Sequence, residues 1–217
     1  MPDRARPGPA ASSDRAGSSD RAGSSDRVAS SASGLEAQLG FVSPLASASA
    51  LADRARVASD ATGRRCVVLI DGRSGTGKTT LGEALATELG AQLVHLDDVY
   101  PGWDGLLAAA TAVVEDVLGA PSGYRRWDWE RSEPAGWVTL DPGAPIVVEG
   151  CGALSRAAAP LATLRIWMSA DDAERKRRAI DRDGAVFAEQ WDRWAAQEDA
   201  FIAAEDPASL ADVVLRS

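Results

Sequence analysis

Apolar positions along the chain follow two rhythms. Short, nearly uninterrupted runs (Cys66-Val67-Val68-Leu69-Ile70, Gln92-Leu93-Val94-His95-Leu96, Ile146-Val147-Val148 and Leu164-Arg165-Ile166-Trp167-Met168) read as strands buried on both faces. Between them, apolar residues recur at three- and four-residue spacing, as in Leu81, Ala84, Leu85 and Leu89, or Leu106, Leu107, Val113, Val114 and Val117. That spacing lines one face of a helix. The pattern predicts a helix over about 45–60, a strand at about 66–71, a helix at 78–89 and a strand at 92–96. A helix of about 104–118 follows, then a strand at 146–148, a helix at roughly 153–161 and a strand at 164–168. Helices at about 171–183 and 187–204 precede a last short strand at 212–215. Residues 119–145, rich in Pro, Gly and Trp, show no clear period. Alternation of this kind predicts an α/β fold, a parallel sheet with helices on both faces. Ligands in such folds sit beyond the C-terminal ends of the strands.

The first 44 residues belong to a different class of sequence. Residues 12–29 run Ser-Ser-Asp-Arg-Ala-Gly twice and then Ser-Ser-Asp-Arg-Val-Ala, with no aromatic residue. A polar six-residue repeat cannot bury a core, so residues 1–44 are expected to be disordered and 45–217 to form the folded domain. The net charge of −9 sharpens the picture, because residues 1–40 hold five Arg against four Asp and one Glu and are neutral. The excess acid lies in the folded part, which argues against a nucleic-acid binder. No apolar run approaches a membrane span, and no secretory h-region opens the chain, so a cytoplasmic location is expected. Cys66 and Cys151 show no metal-ligand spacing. They border opposite ends of parallel strands, which reads as two separate buried thiols. Nothing in the pattern sets an oligomeric state.

The candidate chemistry centres on the end of the first strand. Val67-Val68-Leu69-Ile70-Asp71 runs into Gly72-Arg73-Ser74-Gly75-Thr76-Gly77-Lys78-Thr79, and a helix pattern follows at once. Strand, G-x-x-x-x-G-K-T and helix together are the context of a phosphate-binding loop. Its backbone N–H groups, with Thr80, would cradle the phosphates at a helix N-terminus. Lys78 would reach the β- and γ-phosphates, and the Thr79 hydroxyl would ligate Mg²⁺. Glu149 ends an apolar strand, where an acid is costly unless it holds a cation, which makes it a second candidate for Mg²⁺. The motif implies a nucleoside triphosphate and Mg²⁺. A guanine-reading Asn/Thr-Lys-x-Asp motif is missing, because the only lysines are Lys78 and Lys176.

Three further segments resemble the uridine kinases and nicotinamide riboside kinases. His95-Leu96-Asp97-Asp98-Val99-Tyr100 is similar to their acidic segment after the second strand. Trp127-Asp128 is similar to their sugar-gripping pair, with Arg126 where they carry Asn. Arg175-Lys176-Arg177-Arg178-Ala179-Ile180-Asp181-Arg182-Asp183 is similar to their arginine-bearing lid, placed here at about 171–184. The resemblance spans about residues 64–216. It implies a P-loop kinase fold and Asp97 as the base that takes a proton from the acceptor hydroxyl. It further implies Arg175 and Arg178 as catalytic lid residues and Arg182 as a nucleotide contact. Asp98, Tyr100, Arg126, Trp127 and Asp128 become the acceptor site, and Asp98 alternatively faces Mg²⁺-bound water or caps a helix. Tyr100, Trp103, Trp127 and Trp129 offer planar faces for stacking. His95 reads as a hydrogen-bonded strand residue. The implied activity is transfer of a phosphoryl group from ATP to a hydroxyl of a nucleoside-like small molecule. Two other kinases stay open: a nucleoside monophosphate kinase using Arg125 or Arg126 for the acceptor phosphate, and a natural-product phosphotransferase. A nucleotide-driven switch or ATPase stays open as well.

Overall fold

In the computed structural model the described residues are 44–217. The disorder expected over 1–44 falls outside that range apart from Pro44, the first residue of α1 (Pro44–Thr62). Next come β1 (Val67–Gly72), α2 (Lys78–Leu89) and β2 (Gln92–His95), then a single 3-10 turn at Leu96–Asp98. After α3 (Leu106–Ala112) the helix widens into a π turn over Val113–Val117. The order continues with β3 (Gly123–Asp128), β4 (Glu133–Thr139), β5 (Ile146–Glu149), β6 (Leu164–Ser169), α4 (Asp172–Glu205), α5 (Pro207–Leu210) and β7 (Val213–Arg216). Among the described residues no helix is long and apolar enough to cross a membrane.

The five longer-range strands form one parallel sheet in the order β2-β5-β1-β6-β7. Successive strand residues face opposite sides, so the sheet feeds two apolar cores. Val68, Ile70, Val147, Leu164 and Ile166 pack under α1 and α2, through Ala52, Ala55, Leu81 and Leu85. Val67, Leu69, Val94, Ile146 and Val148 pack on the other face with α3 and the aromatic side of α4. Each fully buried Val, Leu or Ile contributes about 1.5–3 kcal/mol. This is why the uninterrupted runs could not be placed anywhere but in the middle of a two-sided sheet. Connections from β1 and from β5 run to opposite sides of the sheet. The crevice between their C-terminal ends is therefore the topological switch point, where ligands bind in open α/β sheets.

Three expectations are corrected. Residues 119–145 contain an antiparallel hairpin, β3 with β4, rather than irregular chain. Its period was hidden because the register shifts between Arg125 and Trp127 and β4 is largely exposed, with Pro134 and Gly136 inside it. The helix expected at about 153–161 is reduced to a 3-10 turn, Ala159–Leu161. There the backbone N–H groups of Gly152 and Leu154 donate to Asp71, and that of Arg156 donates to Glu205. Donors spent on side chains cannot build a helical ladder. The two helices expected at about 171–183 and 187–204 are one element, interrupted only at Gly184.

Candidate active site

Arg73–Gly77 bridge β1 and α2 at the switch point. No side chain caps α2 and its first turn holds no acid, so its N–H groups and positive dipole end are open to an anion. Gly75 has a φ of 82°, and a Cβ there would overlap the carbonyl oxygen of Arg175. The first turn of α4 thus rests on the loop backbone, which only glycine permits. Lys78 is buried and folds back across the loop, donating to the Arg73 carbonyl at 3.0 Å and to Cys151 Sγ at 3.6 Å. Burial opposes its charge, but Cys151, Glu149, Glu198 and Asp71 outweigh that and raise its pKa. Thr76 bonds to the Arg73 carbonyl, and Thr80 is exposed on α2.

Beneath the loop, Asp71 accepts N–H bonds from Gly72, Gly152 and Leu154 at 2.6, 3.1 and 2.8 Å. It thereby shapes the turn after β5. Burial pushes its carboxyl up to about 6, against the pull of those bonds and of Lys78. At the end of β5, Glu149 is buried and accepts from Thr79 Oγ1 at 3.2 Å. The same oxygen meets His95 Nδ1 at 2.6 Å, a contact that, working against burial, raises the His95 pKa. Among the described residues no cluster of three or more His, Cys, Asp or Glu could hold a metal by itself. Mg²⁺ does not require one: it takes one or two protein oxygens and completes its shell with water and phosphate. Thr79 and Glu149, two hard oxygen ligands in contact beside the loop, fit that demand.

Glu198 is a site residue that sequence reasoning passed over. It is 2% exposed and reaches the loop from the second half of α4. One oxygen accepts from both the N–H and the hydroxyl of Ser74 at 2.8 Å and from Cys151 Sγ at 3.3 Å. The other lies 3.8 Å from Arg73 and 3.6 Å from Arg175. A signal for it exists, since Phe187, Trp191, Trp194, Glu198 and Phe201 share one helical stripe. A lone acid on an aromatic stripe needs a buried partner.

The lid arginines separate. Arg175 is buried on the Trp191 ring, its Nε on Asp172 at 2.7 Å and its Nη1 buried with no hydrogen bond. Arg178 pairs with Glu174 at 2.7 Å and reaches Ser217. Arg182 alone enters the cleft, held by Asp183 through two 2.7 Å bonds. Opposite stands Asp97, whose carboxylate opens into the cleft and is reached from solvent there while protein surrounds it on the other sides. Burial first and then Glu149 raise its pKa, against Lys78 and Arg182.

Ser74, Asp97, Arg182 and Asp183 share the wall of one cavity of about 370 Å³. Tyr100, Trp103, Trp129, Phe187 and Trp194 make its aromatic side, with Val186 beside them. Tyr100 donates to the Cys151 carbonyl at 2.9 Å, and Trp129 to the Asp97 carbonyl at 2.7 Å. The remaining acceptor-site candidates stand elsewhere. Asp98 pairs with Arg126 at 3.4 Å, tying the hairpin to the turn after β2, rather than capping a helix. Asp128 accepts from the Arg131 N–H within the hairpin turn. Trp127, packed by Gly102, keeps a buried indole N–H without a partner, and Arg125 bonds to the Ala135 carbonyl. Phe187 and Trp194 were out of reach of motif reading, because they lie about 90 residues from Tyr100 and Trp103.

No protein-family model matches the chain, and no curated protein sequence matches it. Among solved structures it is similar to a possible uridine kinase from Bacillus stearothermophilus, with 21% identity over 76% of this chain and 99% of the other, at a TM-score of 0.47. It is also similar to a candidate fructose transport system kinase from Silicibacter sp. TM1040, with 19% identity, 81% and 100% coverage and a TM-score of 0.47. An uncharacterized protein from Eubacterium ventriosum shares 12% identity over 69% and 86% of the two chains, at a TM-score of 0.40.

Proposed function

We propose that the chain is an ATP- and Mg²⁺-dependent kinase that phosphorylates a hydroxyl group on a small molecule bearing a planar ring, a class that includes nucleosides. The observation that carries this reading is the shared cavity. Its walls combine the phosphate-loop residue Ser74, the open carboxylate of Asp97 and the guanidinium of Arg182 with a bed of aromatic rings. A switch or motor needs no such chamber beside its nucleotide.

Phosphoryl transfer asks a protein for position and for charge neutralisation. The α2 N-terminus and Lys78 hold the donor's phosphates. Thr79 and Glu149 would hold Mg²⁺, which supplies further neutralisation of those phosphates. The acceptor oxygen bonds to the γ-phosphorus of the donor substrate, the bond to the bridging oxygen breaks, and the hydroxyl proton passes to Asp97. Arg182, lining the same cavity as Asp97, would neutralise the charge that spreads over the moving group. A raised pKa makes Asp97 a stronger base once it is ionised. The nucleoside monophosphate variant finds less support, since Arg125 and Arg126 are engaged in the hairpin and with Asp98 and do not line the cavity.

The test is ADP release from Mg-ATP across ring-bearing alcohols, nucleosides and nucleoside monophosphates, with Asp97→Asn beside the parent. Acceptor-dependent ADP that drops by about 10²-fold or more in Asp97→Asn is the expected result. Equal, slow ADP release with every acceptor and in both proteins would sink it and favour the nucleotide switch.

A further inference from the structure

We infer, on the strength of the kinase reading above, that the acceptor is an apolar aromatic alcohol with a single hydroxyl to present, not a nucleoside or sugar. The walls are the first reason. Trp103 lies with its ring centre 4.9 Å from Trp129 and 5.8 Å from Phe187, and Tyr100 stands edge-on to Trp194 at 4.7 Å. These rings line one side of a volume at the small end of ligand sites, room for one ring system and a short chain. Val186, 67% exposed, carries the apolar lining out toward solvent.

The second reason is that most polar groups of the wall already have partners within the protein, the exceptions among the described residues being the Trp103 and Trp194 indole N–H groups, one Arg182 nitrogen and the Asp97 carboxylate. The Tyr100 hydroxyl is held by the Cys151 carbonyl, and the Trp129 N–H by the Asp97 carbonyl. Ser74 is held by Glu198, and Arg182 and Asp183 hold each other. Among the described residues the Asp97 carboxylate is the one charged group of this wall without a hydrogen-bond partner. One unpaired acceptor group matches one hydroxyl. A base edge or a polyol would give up several bonds to water and find few replacements, a loss that binding sites turn into strong discrimination. The residues that the uridine kinase resemblance assigned to a sugar, Trp127 and Asp128, lie outside this cavity.

Calorimetric titration of the full chain with naphthylethanol, phenylpropanol, uridine and fructose tests this, run beside the ADP assay with the same four compounds. The aryl alcohols are expected to bind at least about tenfold tighter than uridine or fructose. Trp129→Ala removes a stacking face and Val186→Asp sets a charge beside the apolar wall. Each should weaken naphthylethanol binding about tenfold, with the melting temperature kept near the parent's. Tighter binding of uridine or fructose, or parent-like naphthylethanol binding by both folded variants, would overturn the inference. Naphthylethanol binding without acceptor-dependent ADP would uphold the aromatic site and end the kinase reading. Uridine-dependent ADP with no naphthylethanol binding would do the reverse.

Discussion

Glu198 shows how one side chain can organise a loop far away in sequence. Its carboxylate takes both donors of Ser74 and faces Arg73 and Arg175, all within the protein. Removing one partner of a buried ion pair typically costs about 3–5 kcal/mol, because the other charge is left uncompensated. Glu198→Ala should therefore lower the urea midpoint by more than Glu198→Gln, which keeps the Ser74 bonds and loses only the charge. Equal, negligible shifts in both variants would remove Glu198 from the loop's support.

Asp71 makes the opposite kind of statement, since its carboxyl is pushed from 3.8 to about 6 by burial. The folded state then holds its proton more tightly than the unfolded chain does. Its contribution is fully present below about pH 4, declines as pH rises to about 6, and is constant above. Asp71→Asn cannot titrate, so the parent's stability relative to the variant should fall across that window and level off beyond it. A difference that stays flat from pH 4 to 8, measured by urea denaturation, would contradict the assignment.

At the scale of elements, α4 decides the geometry of the site. Its first half carries Arg175, Arg178 and Arg182, and its second half carries Glu198 and the four rings of the aromatic stripe. The joint is Gly184, at φ 72° and ψ −157°, a conformation almost confined to glycine. A Cβ there would meet open space, so the strain of Gly184→Ala is purely one of backbone. The variant should lose about 1–3 kcal/mol of stability, or straighten the helix and carry Arg182 away from Asp97. Thermal melting together with acceptor-dependent ADP release separates the two, and a variant matching the parent in both would show that the break is not needed. The hairpin β3–β4 acts more locally, setting Trp129 against Trp103 and tying Arg126 to Asp98.

For the whole molecule, the nucleotide reading predicts linkage between binding and stability. Mg-ATP at about a hundredfold excess over its Kd adds about 2.7 kcal/mol, a rise of roughly 5–10 °C in Tm for a chain of this size. The rise should shrink when EDTA removes Mg²⁺ and vanish in Lys78→Ala. A Tm indifferent to Mg-ATP would count against the phosphate loop as a working site. A net charge of −9 gives a phosphodiester backbone no overall attraction to the chain.

Much of this architecture was legible in local pattern. The buried runs named four strands of the parallel sheet, and the helical stripe at 78–89 coincides with α2. The glycine-rich segment announced its position between strand and helix, because φ/ψ demands, side-chain period and strand burial act over a few residues. What escaped was set by partners distant in the chain. Asp71 took the N–H groups of Gly152 and Leu154 and so cancelled a helix, and a bulged hairpin with one exposed strand left no period to read. Tyr100, Trp103 and Trp129 became one wall with Phe187 and Trp194 only once α4 packed across the sheet. Sequence alone determined the sheet, the glycine-rich loop between strand and helix and the acids at the strand ends, since each follows from near neighbours and burial. Tertiary structure decided which arginine faces Asp97, which rings line the cavity and that Glu198 holds the loop, because those depend on helix packing between residues far apart in the chain.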